Sequence, residues 1–185
     1  MRIVDTIKIH DKKFKVCKTA SQIDEAVSRV AEQINEDLKD TDTPIFLSVL
    51  NGSFMFTADL MRKITIKSDV VFIKLSSYEG TSSSGNVKQI MGLTKSVEGR
   101  TVVVVEDIVE TGNTIEEIYK ILNDAGAAEV KICTLLLKPD AYKKDIKIDY
   151  AALQIPNDFI VGYGLDYNQL GRQYKDIYVL DEEQE

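Results

Sequence analysis

The sequence predicts an α/β protein in which a parallel β-sheet is flanked by helices. One observation is the run of four valines at residues 102–105, which suits a strand buried on both faces. The other is the order of the segments, because apolar strand-like runs alternate with stretches of helical i, i+3, i+4 spacing. Ligands bind at the carboxyl ends of strands in open α/β sheets, so the residues that follow each strand are the candidate site.

Composition indicates one globular domain spanning residues 1–185. The 185 residues are 44% hydrophobic and 29% charged, which is enough to build a core. The net charge of −7 argues against a nucleic-acid surface, which needs basic patches. The spacing of the two cysteines suggests no disulfide framework. The sequence also shows no signal peptide and no apolar run that approaches a membrane span. We therefore expect a cytoplasmic protein with no nucleic-acid or membrane partner.

The remaining elements are predicted from their own patterns. Alternation over residues 3–16 predicts a hairpin that turns near His10, and a surface role is expected for this only histidine. Apolar spacing predicts helices over 21–38, 54–63 and 115–125, with Gly126 ending the last. Strands are predicted at 44–50, 69–75, 129–137, 150–154, 159–163 and 177–180. The polar segment 76–89 is predicted to be a long loop, either a lid or a flexible hairpin tip.

The valine strand leads directly into the most informative segment. We expect the strand to end at Glu106 and Asp107, before a turn at residues 110–114 and a helix. One interpretation is that the acids are solvated and that Thr111 or Asn113 merely caps the helix. A phosphate-binding turn alone would not need three carboxylates beside it, whereas a ligand with ribose hydroxyls or metal-bound pyrophosphate would. The absence of G-x-x-x-x-G-K-[ST] excludes a P-loop.

Five segments in order resemble motifs of the hypoxanthine-guanine phosphoribosyltransferases, a family of type I phosphoribosyltransferases. They are VLNGSFMFTADL at 49–60, SSYEG at 76–80, VVVVEDIVETGNT at 102–114, LLLKP at 135–139 and PNDFIVGYGLDYNQLGR at 156–172. The resemblance implies a parallel sheet with helices and a small hood built from both termini. It places the core at about 20–139 and the hood at 1–19 and 140–185.

The resemblance also implies a role for each matching residue. Those expected at the ribose and the 5′-phosphate are Glu106, Asp107, Glu110, Thr111, Gly112, Asn113 and Thr114. Those expected at pyrophosphate are Leu50, Asn51, Gly52 and Arg172, with an unusual cis peptide before Asn51. Those expected at the purine are Lys138, Phe159, Ile160 and Asp166. Those expected near Mg²⁺ are Glu106, Asp107 and Asp166, while Ser77 and Tyr78 would lie on a closing lid.

Two positions depart from the family pattern. Asn51 stands where many members have lysine, which removes a cation near pyrophosphate. Glu110 stands where the acceptor of the purine N7 proton is usually aspartate, so its carboxylate reaches one methylene further.

The activity implied by the resemblance is purine salvage. A phosphoribosyl group would move from phosphoribosyl pyrophosphate to N9 of hypoxanthine or guanine, giving IMP or GMP in a Mg²⁺-dependent homodimer or homotetramer. One alternative is a receiver-type signalling domain, although Asn51 and Gly52 follow the first core strand where a receiver needs an acidic pair. The other is a regulatory RNA-binding relative, which the acidic balance disfavours.

Overall fold

The computed structural model describes residues 6–76 and 88–181, which form two sheets and three helices. The strands are β1 Thr6–Ile9, β2 Lys12–Lys18, β3 Ile45–Leu50, β4 Asp69–Ser76, β5 Lys88–Met91, β6 Thr101–Val109, β7 Glu129–Leu137, β8 Tyr150–Gln154, β9 Ile160–Val161 and β10 Ile177–Leu180. The helices are α1 Ala20–Asp37, α2 Phe54–Met61 and α3 Asn113–Asp124. None of the helices in this described part is long and apolar enough to cross a membrane.

The larger sheet confirms the predicted parallel architecture. Its strand order is β5-β4-β3-β6-β7-β8, and every neighbouring pair from β4 to β8 is parallel. Only β5 runs antiparallel, against β4. The carboxyl ends of β3, β6 and β7 therefore lie side by side at one edge, where the candidate residues were expected.

The valine strand is buried on both faces, as predicted. Val103 and Val105 pack into the cluster that contains α1 and α2, while Val102 and Val104 pack into the cluster that contains α3. All four side chains are fully buried. Because full burial of a valine contributes roughly 1.5 kcal/mol or more, this strand anchors the segment that follows it.

The start of helix α1 is fixed by a capping box. The Thr19 hydroxyl accepts from the Gln22 N–H, and the Gln22 side chain accepts from the Thr19 N–H. The helix therefore begins one residue before the predicted Ser21. Its predicted apolar stripe from Ile23 to Leu38 is buried throughout.

The termini build a second, antiparallel sheet in the order β1-β2-β10-β9, which confirms the predicted hood. Asp176, just before β10, is buried and accepts from the Ala20 N–H, so the hood is tied to the start of α1. The boundary suggested at residue 139 is not where the sheets divide. Strand β8 pairs with β7 in the larger sheet, because its register continues the parallel ladder.

Three strands depart clearly from the sequence prediction, one of them, β9, only because Ile160–Val161 is shorter than the predicted 159–163. Strand β6 continues to Val109 because the ladder with β7 extends through Val109 and Leu137, so Glu106 and Asp107 lie within the strand. Strand β5 includes residues 88 and 89 of the predicted loop, because they pair with the end of β4. Ser77, Tyr78 and the rest of 77–87 lie outside the described residues.

Candidate active site

Three adjoining cavities occupy the edge where β3, β6 and β7 end. Their volumes are about 230 Å³ beside the 110–114 turn, about 280 Å³ beside the 50–52 turn and about 250 Å³ beside Lys138. Asp107 lines all three. Every sequence-predicted site residue in the described ranges lines at least one of them, so the fold brings these distant segments into one cleft.

The first cavity, here called the phosphate cavity, is built from one continuous segment. Residues 106–115 line it, running from the end of β6 into the first turn of α3. Gly112 is the N-cap of α3 with φ 86° and no side chain caps the helix, so the simple capping role for Thr111 or Asn113 is wrong. Free N–H groups at a helix start bind anions well. The turn can therefore hold a phosphate.

Glycine is required at position 112 by close packing as well as by its backbone. A Cβ there would lie 2.5 Å from Cε2 of Tyr142 and 2.7 Å from Cγ of Lys144. Both residues belong to the segment after β7, and the Tyr142 hydroxyl is fixed by donating to the Ile146 carbonyl over 2.5 Å. The phosphate-cavity turn therefore has an outer wall that sequence reasoning missed.

Two carboxylates in β6 face this cleft under unusual conditions. Glu106 is only 7% exposed, and its Oε2 has no hydrogen-bond partner among the described residues. Burial, with a smaller contribution from the Asp107 charge, raises its pKa well above the ordinary value. Burial likewise raises the pKa of Asp107 to about 6, although backbone N–H groups and Arg172 partly oppose it. Ribose hydroxyls are partners that would satisfy such oxygens.

The second cavity, the pyrophosphate cavity, lies between the β3–α2 turn and the hood. The Leu50–Asn51 peptide bond is cis, as the resemblance implies. A Cβ on Gly52 would lie 1.5 Å from Oδ2 of Asp107, so only glycine lets the carboxylate reach this turn. A Cβ on Gly164 would lie 2.1 Å from the Gly52 carbonyl oxygen. The loop between β9 and β10, residues 162–176 and here called the hood loop, therefore packs directly against the turn.

A chain of buried hydroxyls fixes the same turn from below. The Ser53 hydroxyl donates to the Val49 carbonyl over 2.5 Å, so the Ser48 hydroxyl must donate to Ser53 over 2.9 Å. The Thr57 hydroxyl then donates to Ser48 over 2.7 Å. Sequence reasoning missed this chain, although Ser48 is the one polar residue in strand β3 and was a readable signal.

Arg172 is held by the hood loop rather than free in the cavity. Its guanidinium pairs with Asp166 over 2.5 Å and donates to the Gly164 carbonyl over 2.7 Å. The second oxygen of Asp166 accepts from the Gln169 N–H over 2.7 Å. These contacts orient a planar cation toward the pyrophosphate cavity, where it can bind an anionic oxygen.

The third cavity, the base cavity, combines one buried cation with apolar walls. Its lining includes Ile108, Leu165 and the expected Lys138, Phe159, Ile160 and Asp166. The Lys138 side chain is 7% exposed, and its ammonium donates to the half-exposed carboxylate of Glu110. This ion pair joins two residues that the sequence analysis treated separately. A buried ammonium needs such a partner.

Phe159 presents an aromatic face at the mouth of the base cavity. The residue is 42% exposed, which is high for a side chain of this size. The ring is supported from the hood by Tyr167, with centroids 5.6 Å apart, and by Phe14, with centroids 6.0 Å apart. A planar ligand could stack on this ring.

No three His, Cys, Asp or Glu side chains within residues 6–76 and 88–181 are arranged to hold a metal ion. The expected set of Glu106, Asp107 and Asp166 is thus not a closed metal centre. A magnesium ion is commonly held by only one or two carboxylates together with water and phosphate oxygens. The cleft therefore suits a metal ion only if water and phosphate oxygens of a ligand complete its coordination.

Comparisons with known proteins agree with this geometry. The phosphoribosyl transferase domain family matches residues 19–168. A hypoxanthine-guanine phosphoribosyltransferase of Mycobacterium tuberculosis is 37% identical over 90% of this chain and 85% of its own. One from Streptococcus pneumoniae is 39% identical over 91% and 94%.

A solved structure extends the likeness to three dimensions. Hypoxanthine phosphoribosyl transferase of Trypanosoma cruzi superposes with a TM-score of 0.86 at 34% identity, covering 95% of both chains. With the family match, the two relatives and this superposition, the chain belongs to the hypoxanthine-guanine phosphoribosyltransferase family of phosphoribosyl transferase domains.

Proposed function

We propose that the protein transfers the phosphoribosyl group of phosphoribosyl pyrophosphate to N9 of hypoxanthine or guanine, in purine salvage. The products are IMP or GMP and pyrophosphate. The observation that carries this proposal is that an anion-binding turn, a second turn and a base-sized cavity all meet at Asp107. A substrate with a 5′-phosphate, a ribose and a pyrophosphate spans such a cleft. The family membership supports the same activity, and it favours neither a receiver domain nor an RNA-binding protein.

Each part of the substrate has a matching surface in this assignment. The 5′-phosphate binds the N–H groups and hydroxyls of residues 111–114, and the ribose hydroxyls donate to Glu106 and Asp107. Pyrophosphate binds the turn of Leu50, Asn51 and Gly52. Because Asn51 has no cationic side chain, backbone groups of this turn make the contacts with the anion. Arg172 supplies the cation on the opposite side.

The reaction follows from charge development at C1 of the ribose. As pyrophosphate leaves, positive charge builds on the sugar, and the carboxylate of Asp107 stabilises it. The raised pKa of Asp107, about 6, still leaves it mainly ionised at neutral pH. Glu110 accepts the proton from purine N7 as N9 bonds to C1. To do so, Glu110 exchanges its contact with Lys138 for one with the base.

Mg²⁺ fits the chemistry of this donor set, with Asp107, Asp166 and Glu106 as the available oxygens. When bound, it neutralises charge on the pyrophosphate. Asp166 engages both oxygens with Arg172 and Gln169, so it is suited to hold a metal through water rather than directly.

Base choice is assigned to Lys138, Phe159 and Ile160. An ammonium has donors and no acceptors, so Lys138 favours a 6-oxo purine over the 6-amino group of adenine. Phe159 stacks on the ring, and the Ile160 backbone reads its edge. The buried position of Lys138 makes a missing acceptor costly, so discrimination should be large.

The test is a direct assay. The protein is incubated with phosphoribosyl pyrophosphate, Mg²⁺ and one of hypoxanthine, guanine, xanthine or adenine, and nucleotide formation is followed. We expect turnover of hypoxanthine or guanine and little of adenine, with loss of turnover in excess chelator. Absence of product with every base would refute the activity, and equal use of adenine would refute the role of Lys138.

We further propose a cytoplasmic homodimer or homotetramer. The solved Trypanosoma cruzi relative was described for the role of its C-terminal region on oligomeric state and enzymatic activity. Phe54, Val70 and Phe72 of this chain are each about 40% exposed, which suits contact with another copy. Light scattering on the purified protein measures the assembly directly, and a monomer at all concentrations would overturn this proposal.

A further inference from the structure

The phosphate cavity has an unusual charge balance for a site that holds a phosphate. Its lining includes Glu106, Asp107 and Glu110 but no lysine or arginine. Backbone N–H groups and the helix start provide only partial positive charge. A phosphate dianion beside three carboxylates would gain from a full cation close to the turn.

Lys144 is a cation already packed against that turn. Its Cγ is the atom that a Cβ on Gly112 would approach to 2.7 Å, so its side chain runs beside the N-cap of α3. Its ammonium pairs with Glu116, in the first turn of the same helix, over 2.6 Å. The Lys144 side chain is 24% exposed and that of Glu116 is 60% exposed. The pair is therefore accessible to a ligand and easily exchanged.

We propose that Lys144 is a phosphate-binding residue, and that its ammonium moves from Glu116 to the 5′-phosphate of the bound ligand. This inference rests on the proposed function of the cleft. A phosphate group is a stronger acceptor than an exposed carboxylate, because it carries more charge and offers three oxygens. Glu116 is then the competitor that holds Lys144 when no ligand is bound.

A purely structural role gives different expectations. If Lys144 only fastens the segment after β7 to α3, then Lys144→Gln and Glu116→Gln break the same contact and should have the same effect. If Lys144 binds phosphate, Lys144→Gln should weaken the phosphate ligand, whereas Glu116→Gln should not. Glu116→Gln removes both the competing acceptor and a negative charge beside the phosphate.

The experiment compares IMP with inosine, which differ only in the 5′-phosphate. Dissociation constants are measured by equilibrium dialysis for the full-length wild type, Lys144→Gln, Glu116→Gln and the double variant. Lys143→Gln is the matched control, since Lys143 is the exposed neighbour whose ammonium donates to the Asp140 carbonyl. Melting temperatures confirm that each variant is folded.

We expect Lys144→Gln to weaken IMP about tenfold, the lower end for a charged hydrogen bond, and to leave inosine unchanged. Glu116→Gln should bind IMP as well as or better than wild type, and this gain should shrink when Lys144 is also replaced. Lys143→Gln should match wild type.

The inference is overturned if Lys144→Gln leaves IMP binding unchanged, or weakens IMP and inosine equally. It is also overturned if Glu116→Gln weakens IMP as much as Lys144→Gln does. A wild type that binds IMP no better than inosine gives a different result, because it refutes the phosphate cavity itself and with it the proposed function.

Discussion

The sugar-phosphate side and the base side of the cleft are built in different ways. The phosphate cavity comes from the single segment 106–115, in which a buried strand leads into a turn and a helix. The base cavity takes Glu110, Lys138 and Phe159 from three segments, one of them on the hood. The first side is therefore fixed by local geometry, whereas the second depends on how the hood packs on the core.

The two sides also differ in how they hold charge. The sugar-phosphate side keeps carboxylates with raised pKa values, and one oxygen of Glu106 has no partner among the described residues. The base side pairs its buried Lys138 with Glu110. On the sugar-phosphate side, hydrogen-bond donors from a ligand would satisfy the carboxylate oxygens. On the base side, a ligand that contacts Lys138 or Glu110 would have to replace their ion pair. Glu110 lines both cavities and joins the two halves.

The largest effect is expected at this junction. Glu110→Gln keeps the size of the side chain but removes its basic form, so turnover should fall by about 10²–10⁴-fold, as for general bases. Binding of phosphoribosyl pyrophosphate should change little, because the proposed contacts to its 5′-phosphate come from residues 111–114 and Lys144 rather than from the Glu110 side chain. Pre-steady-state and steady-state rates measure this. Glu110→Asp is the control and should retain substantial activity, and a fully active Gln variant would contradict the role.

A smaller effect, confined to the base side, is expected for Lys138→Met. Loss of a hydrogen bond from a charged group should raise KM for hypoxanthine by about 10–100-fold. The affinity for phosphoribosyl pyrophosphate should remain within about twofold, since Lys138 lines only the base cavity among the three. Titration of each substrate separately tests this. Equal losses for both substrates would show that the two sides are not independent.

The converse effect is expected for Gly52→Ala. The new methyl group collides with the Asp107 carboxylate, because a Cβ at position 52 would lie 1.5 Å from Oδ2 of Asp107. Displacing this carboxylate should weaken phosphoribosyl pyrophosphate by about tenfold, the value of one hydrogen bond of roughly 1.4 kcal/mol. Base affinity should change less than this, although Asp107 also lines the base cavity. Gly99→Ala is the control at a distance from the cleft, because nothing lies within 4 Å of its added Cβ. Its φ of 68° adds backbone strain, so any effect of this variant is expected on stability and not on binding.

The smallest effect concerns stability and pH on the sugar-phosphate side. The pKa of Asp107 rises from 3.8 to about 6 on folding, so the folded state binds more protons than the unfolded state between these values. Its contribution to stability is therefore present at low pH and is lost as pH rises through this window. Asp107→Asn should raise the melting temperature by a few degrees near neutral pH and by little at acid pH.

Thermal melts of the ligand-free protein in chelator across this pH range make the measurement. The variant should bind phosphoribosyl pyrophosphate less well while being more stable. A variant less stable than wild type at neutral pH would show that the backbone contacts of Asp107 outweigh its burial.

The sequence by itself determined the elements whose cause is local. The valines of β6, the stripe of α1 and the turn at 110–114 are continuous in the chain, so spacing and composition reveal them. The family resemblance identified the segments that line the cleft, and their convergence follows because parallel strands end at one edge. The order of these strands and the closeness of the cavities were visible only in the fold.

The tertiary structure alone decided the contacts between distant residues. The ion pair of Glu110 with Lys138, the approach of Asp107 to Gly52 and the place of β8 in the larger sheet all depend on packing across the chain. Strand β5 was missed for the same reason, since the short segment Lys88–Met91 becomes a strand by pairing with the edge of β4. Such features arise from spatial neighbours, whereas sequence patterns report only neighbours along the chain.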